Sequence, residues 1–346
     1  MKEIELDLRS EFNERYNLVT RKMVRLLSEN SRASISEISK AVSMSRKTVV
    51  DRIRKMEEEF RISYTVEFNE SALGLVSPHL ICVKFDSKPD YAKVTKLLGQ
   101  SYIPQFAVAT KGQYDLIIYA VGTFGREYAR WDKNMQILIG ELGGEWRSSE
   151  VVHRQLGFLP LRNELLDRVE MPQKYRDMLK ILNSNSRTSF QEMSKTLGMH
   201  FNTVAYNFNK LLKTNYLKRF TITMDKPKDV TLMTFFSKYR PTENYEKDSA
   251  KSRRALQGDD ENSLISRFLM TAPLIGTYDF FTMGAYDNPE AAYKYDVLFH
   301  KQVMEEEHPR IIYATIDSVI FGRLPIRSVD TKKEYNLMKW DVDLEK

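Results

Sequence analysis

The sequence predicts an α+β protein made of two copies of one unit, each a winged helix-turn-helix followed by a ferredoxin-like βαββαβ domain. Three observations carry that prediction. Residues 30–57 and 185–212 align without gaps at an offset of 155 and are identical at 11 of 28 positions, namely Asn30, Ser31, Arg32, Ser34, Glu37, Ser39, Lys40, Met44, Thr48, Val49 and Lys55. The likeness continues in order along the chain: GQYDLIIYAVG (112–122) returns as GTYDFFTMGAY (276–286), and LGFLPLR (156–162) as FGRLPIR (321–327). Inside each copy the hydrophobic period changes from helical to alternating and then mixes the two. The expected boundaries are 12–71 and 171–228 for the two helix-turn-helix units and 72–165 and 229–328 for the two βαββαβ domains. A polar insertion at 241–263 and a C-terminal tail at 329–346 complete the division.

Taken in order, a first helix from about Arg15 to Glu29 offers Leu18, Val19, Met23, Leu26 and Leu27 to a core. Ser34 and Glu37 make a capping box, in which the serine accepts from the glutamate's backbone N–H while the glutamate side chain reaches back; Ser189 and Glu192 repeat it. The short helix that follows buries Ile38 and Val42, or Met193 and Leu197 in the second copy. After a tight turn, Ser45 caps a further helix whose Val49, Ile53 and Met56 form one apolar stripe. RISYTVEF (61–68) and LKRFTITM (217–224) alternate with a period of two and read as strands with one buried face, the wings of the two units.

The remainder of the first unit reads LICVKF as strand, PDYAKVTKLLGQS as helix, PQFAVATKGQYDLIIYAV as two strands joined at Lys111-Gly112, FGREYARWDKNMQILIGEL as helix and SSEVVHRQLGF as strand. That order is βαββαβ. The second unit gives LMTFFSKY, the polar insertion, a helix near SLISRFLM, strands around Gly276, a helix from about Glu290 to Glu307 and a last strand in IIYATIDSVIF. The insertion, rich in charge and poor in large apolar residues, reads as an exposed helix or a mobile segment.

Composition narrows the function. With 42% hydrophobic and 29% charged residues among 346, the chain is globular and long enough for several small cores. No apolar run reaches the ~20 residues of a bilayer span, and the start, MKEIELDLRSEFNERY, is too acidic for a signal peptide, so a cytoplasmic location and no membrane partner are expected. Cys82 is the single cysteine, and His79, His153, His200, His300 and His308 are scattered, so neither disulfides nor a metal site nor a bound cofactor is expected. No phosphate loop, nucleophile elbow or dinucleotide fingerprint is present, and no catalytic residue is assigned. The net charge is +6. It is concentrated in the repeat: residues 21–61 carry eleven Lys and Arg against six Asp and Glu, and residues 176–220 carry eight against two. The remainder is acidic on balance, which points to a polyanionic partner for the repeated stretches.

These features resemble the Lrp/AsnC family of leucine-responsive, or feast/famine, regulators. The matching residues are N-S-R and S-x-x-E-I-S-K-A-V-x-M-S-x-x-T-V-x-x-R-I at 30–53, A-L-G-L at 72–75 and G-x-Y-D at 112–115. The likeness spans about 12–328 in both halves. It implies a transcription regulator binding double-stranded DNA, a dimer formed through the βαββαβ domain, and an amino-acid effector near that interface. This chain carries a dimer's worth of parts, so it is expected to act as an intramolecular pseudo-dimer or as a homo-oligomer of such chains.

The candidate DNA contacts are Ser45, Arg46, Lys47, Thr48, Asp51, Arg52, Arg54 and Lys55 on the first recognition helix, on or flanking the face opposite the apolar stripe. Lysine and arginine there can hold phosphates or guanine acceptors. The bland reading is a solvated helix face. In the second copy that face becomes Asn202, Thr203, Tyr206, Asn209 and Lys210. Two readings stand: amides that read adenine edges, with Lys213, Lys218 and Arg219 on the backbone, or a helix that has drifted into packing. Unlike heads predict unlike half-sites. Gly112, Tyr114, Asp115, Gly276, Tyr278 and Asp279 sit at the strand turns that the family resemblance places beside an effector; the plain alternative is turn chemistry. Two further functions remain. Sirohaem decarboxylases are similar to this family in fold and would need cationic and imidazole groups, for which His153, Arg154 and Arg147 are first candidates. A protein-interaction scaffold with a degenerate second head is the other.

Overall fold

The computed structural model describes residues 18–152, 157–224, 230–238, 268–286, 288–303 and 310–324. The first helix-turn-helix consists of α1 (Leu18–Glu29), α2 (Ile35–Val42) and α3 (Arg46–Phe60), followed by β1 (Ser63–Phe68). The capping box forms at α2: Glu37 N donates to Ser34 Oγ at 3.2 Å and Ser34 N to Glu37 Oε2 at 2.6 Å. Met23 and Leu27 of α1, Ile38 and Val42 of α2, and Val49, Ile53, Met56 and Phe60 of α3 close one small core. The first helix is described only from Leu18, so the expected start near Arg15 lies outside the described residues.

Next come β2 (Val76–Phe85), α4 (Tyr91–Gly99), β3 (Pro104–Gly112), β4 (Leu116–Gly122), α5 (Gly125–Glu141) and β5 (Gly144–Val151). A four-residue helix, α6 (Asn163–Leu166), leads to the second helix-turn-helix: α7 (Gln173–Ser184), α8 (Phe190–Leu197), α9 (Phe201–Leu211) and β6 (Leu217–Thr223). The second set of strands is β7 (Thr231–Lys238), β8 (Phe268–Ile275), β9 (Phe280–Tyr286) and β10 (Arg310–Gly322), with α10 (Pro289–Val303) before the last. The order βαββαβ is therefore complete in the first half. In the second half the helix expected near SLISRFLM is corrected at its end: Phe268, Leu269 and Met270 belong to β8, where Phe268 and Met270 pair with Gly284 and Met283. That apolar run is short enough to fit either element, and Met270 with Ala272 and Leu274 lines the inner face of a sheet. The rest of that helix, the insertion at 241–263 and the tail at 329–346 lie outside the described residues.

The strands do not form two separate sheets. Eight of them close into a ring in the order β10-β3-β4-β2-β5-β8-β9-β7. Each half contributes four adjacent strands, joined at two seams. The β10–β3 seam is long, running from Ala314↔Gly112 to Gly322↔Phe106, while β5 pairs with β8 through Glu150↔Ile275 and Val151↔Leu274. Inside the ring, Leu80, Cys82, Val108, Ile117 and Tyr119 face Met270, Ala272, Phe281, Met283 and Ile316 in one core. On the first half's outer face α4 and α5 cover Ile81, Val83, Leu116 and Ile118 with Val94, Leu98, Trp131 and Ile139.

The wing strands differ from the expectation in their partner. Rather than each completing its own head, β1 and β6 pair with each other, antiparallel, from Ser63↔Thr223 to Phe68↔Leu217. A period-two pattern tells which face of a strand is buried but not which strand lies beside it.

Candidate nucleic-acid interface

The face of α3 opposite its buried stripe is open. Ser45, Arg46, Lys47, Thr48, Asp51, Arg54 and Lys55 are exposed and Arg52 is half-buried. Ser45 is the N-cap: its hydroxyl accepts from Thr48 N at 3.1 Å and shares a 2.8 Å hydrogen bond with the Thr48 hydroxyl, fixing the first turn from which base edges would be reached. Arg46, Lys47, Arg54 and Lys55 form no ion pair among the described residues. Elsewhere Arg25 pairs with Glu29, Lys84 with Asp115, Lys111 with Asp317 and Lys180 with Asp167, while other exposed cations, among them Arg126, Arg130 and Lys133 on α5, also form no ion pair among the described residues. Helix α3 thus carries five cations and four carboxylates, with Asp51 on the open face and Glu57, Glu58 and Glu59 together at its C-terminal end.

On α9, Asn202, Thr203, Tyr206, Asn209 and Lys210 are likewise exposed, while Val204, Asn207, Phe208 and Leu211 are buried. Its cap is His200, whose Nδ1 accepts from Asn202 N at 3.3 Å. Lys210 Nζ lies 4.5 Å from the Tyr206 ring centroid, a cation–π pair that orders both side chains. The proposed backbone cations need a correction. Glu67, only 3% exposed, takes Arg219 at 2.7 Å and Lys218 at 3.4 Å, so both are committed within the β1–β6 ribbon. A buried carboxylate must be paired, and its nearer partner, Arg219, lies directly across the ladder. Lys213 remains exposed.

The N-S-R motif is spent on joining the heads. Ser31 and Ser186 occupy the same place in the repeat and their hydroxyls meet at 2.6 Å, buried. Arg32 donates to Ser186 O at 2.5 Å and Thr188 O at 3.1 Å, and its guanidinium lies 5.3–6.0 Å from the centroids of Phe190, Phe208 and Phe220. Arg187 returns the contact with a 2.6 Å bond to Ser31 O and lies 4.2 Å from the Tyr64 ring centroid. Burial, and then the like charge of Arg187, lower the pKa of Arg32. The sequence marked these residues as repeated, but gave no signal that each copy grips the other.

Of the G-x-Y-D residues, the two tyrosines meet inside the ring. Tyr114 and Tyr278 hydrogen-bond through their hydroxyls, and burial raises the pKa of both. Asp115 accepts from Phe85 N at 2.9 Å and Lys84 Nζ at 3.0 Å; Asp279 accepts from Lys238 Nζ at 2.8 Å. Gly112 has φ +148°, and a Cβ there would stand 2.7 Å from Tyr313 O across the long seam; at Gly276, with φ +141°, it would stand 3.1 Å from Ser149 Oγ across the short one. Glycine therefore lets the two halves approach at these corners. Of the tetrapyrrole candidates, Arg147 is exposed on β5 and pairs with Glu145 at 2.7 Å, while His153 and Arg154 lie outside the described residues. No group of three or more His, Cys, Asp or Glu able to hold a metal occurs among the described residues, and none of their helices is long and apolar enough to cross a membrane.

Comparison with known proteins agrees with the helix-turn-helix geometry. The AsnC-type helix-turn-helix domain matches residues 20–57. An uncharacterised HTH-type transcriptional regulator of Pyrococcus furiosus is 30% identical over 101 residues, which make up 29% of this chain and 68% of that protein. The chain belongs to the Lrp/AsnC family. Among solved structures, the siroheme decarboxylase NirDL matches over 91% of this chain and 96% of its own, with a TM-score of 0.56 and 11% identity. The same enzyme in co-complex with an iron-uroporphyrin III analogue gives a TM-score of 0.56 at 12% identity, over 92% and 97% of the two chains. At such identity the likeness is one of fold.

Proposed function

We propose that this chain is a transcription regulator that binds double-stranded DNA through α3, and through α9 in the second head, with its two units acting as an intramolecular pseudo-dimer. The observation that carries the reading is the set Arg46, Lys47, Arg54 and Lys55, exposed and without an ion pair among the described residues, on a capped helix whose other face is the core of its head. Such a surface offers several cations at once to a polyanion, with Asp51 the one carboxylate on the same face. Thr48, Asp51, Arg52 and Ser45 frame the same face, and the latter also holds the helix start in place. The β1–β6 ribbon and the Ser31–Ser186 contact hold the heads at one separation. Two different heads at a fixed separation would favour an asymmetric target, unlike the palindrome of an identical pair. Genome-wide mapping of binding sites beside the Lys47→Ala/Lys55→Ala chain tests this: occupancy should collapse across all sites, and unchanged occupancy would refute it.

An amino-acid effector at Gly112, Tyr114, Asp115, Gly276, Tyr278 and Asp279 is the finer part of the reading. Its support is that the Tyr114 and Tyr278 hydroxyls meet between the two halves while Gly112 and Gly276 lie one at each seam, so that a ligand bound at the tyrosines would act on the arrangement of the whole ring. Calorimetric titration with free amino acids, returning heat, is the expected result.

A second reading, a tetrapyrrole decarboxylase, is favoured by the shared arrangement of units over nine-tenths of the chain. In it Arg147 would meet a substrate carboxylate; this cation lies within electrostatic reach of Tyr114 and Tyr278. A shift of the Soret band on mixing sirohaem with the chain would favour that reading, and an unshifted band would favour the regulator.

A further inference from the structure

The second head has lost cations but kept an open recognition face. Lys47 is replaced by Asn202, Asp51 by Tyr206 and Arg54 by Asn209 at the offset of 155, and all three replacements are exposed. The amides of Asn202 and Asn209 make no side-chain hydrogen bond among the described residues. The side chains of Asn30, Asn69, Asn163, Asn183 and Asn185 behave differently, each holding a turn or a neighbouring chain segment. Asparagine in a helix interior, as at Asn209, is also a poorer helix former than alanine. These two residues, seven apart on the face away from the core, hold no other segment by hydrogen bonds among the described residues. The strand cations next to them, Lys218 and Arg219, are held by Glu67, so the phosphate grip of this head falls to Lys210 and Lys213.

We infer that α9 reads a half-site of A·T base pairs, while α3 reads one containing G·C pairs. This rests on the DNA-binding reading above. A carboxamide presents one donor and one acceptor side by side, which matches the N6 amino group and N7 of adenine; lysine and arginine offer donors only, which match O6 and N7 of guanine. Thr203 and Tyr206 add apolar surface between the two amides, suited to a thymine methyl. The target is therefore bipartite, with sequence selectivity in one half resting on hydrogen-bond pattern and affinity in the other resting more on charge.

The test is selection of bound duplexes from a randomised library by the intact chain and by two variants, Asn202→Lys and Asn209→Ala, each checked for native helical circular dichroism. The intact chain should recover one A·T half joined to one half with guanine contacts. Asn209→Ala should relax one position of the A·T half, weakening binding there about ten-fold. Asn202→Lys should exchange an adenine for a guanine in that half and steepen the salt dependence by about one. Two identical halves, or an A·T half indifferent to both substitutions while Lys47→Ala still weakens binding, would overturn this inference and leave the DNA-binding reading standing. Binding of no duplex by the intact chain would overturn both.

Discussion

Ser43 and Gly198 end equivalent helices, and both sit in the left-handed region, at φ 54° and 62°. The second copy has the residue that takes this conformation freely and the first does not, so Ser43 carries a local strain that its N–H bond to Lys40 O offsets in part. Ser43→Gly should stabilise the chain by roughly 0.5–1 kcal/mol, less than the full left-handed penalty because glycine also loosens the unfolded chain. Chemical denaturation measures this; a loss of stability would show that the serine is held by something other than its backbone bond. At this scale the sequence was most legible. Capping boxes, the N-cap at Ser45 and the buried stripe of Val49, Ile53 and Met56 depend on neighbours within one or two turns, and those neighbours are written next to each other.

Elements were legible in kind and illegible in partner. RISYTVEF announces a strand, yet nothing in its alternation says that it pairs with the distant stretch Leu217–Thr223. The same limit hid the role of Asn30-Ser31-Arg32: a turn before a capped helix is a local object, while its use as a clasp is a property of two turns facing each other. Arg32 makes this clasp asymmetric, for it rests among three phenylalanines of the second head whereas Arg187 meets Tyr64 alone. Arg32→Ala should cost about 2–4 kcal/mol, combining lost charge-assisted bonds with lost cation–π contact. Arg32→Lys should restore little of it, since an ammonium lacks the planar fork that spans Ser186 O and Thr188 O. Equal stability of Arg32→Lys and the unmodified chain in urea would contradict the clasp.

For the whole molecule, the closed ring, the β1–β6 ribbon and the clasp tie the halves at three places, and the corners of the ring are where G-x-Y-D falls. The sequence carries the same motifs twice in the same order; it did not disclose closure, because closure is set by edge strands whose pairing residues carry no distinguishing mark. Charge was legible only in sum. Residues 176–220 have the larger net surplus, yet Arg32's counterpart Arg187 and the pair Lys218 and Arg219 are all engaged inside the protein, which leaves α3 with the larger free cationic surface. Asymmetry between the heads is therefore greater than a count of residues indicates. The most direct test is the affinity of the intact chain for a duplex bearing a mapped site, measured at a series of salt concentrations against Lys47→Ala/Lys55→Ala. The account predicts weaker binding and a slope of log affinity on log salt reduced by about two; identical slopes for the two chains would contradict it.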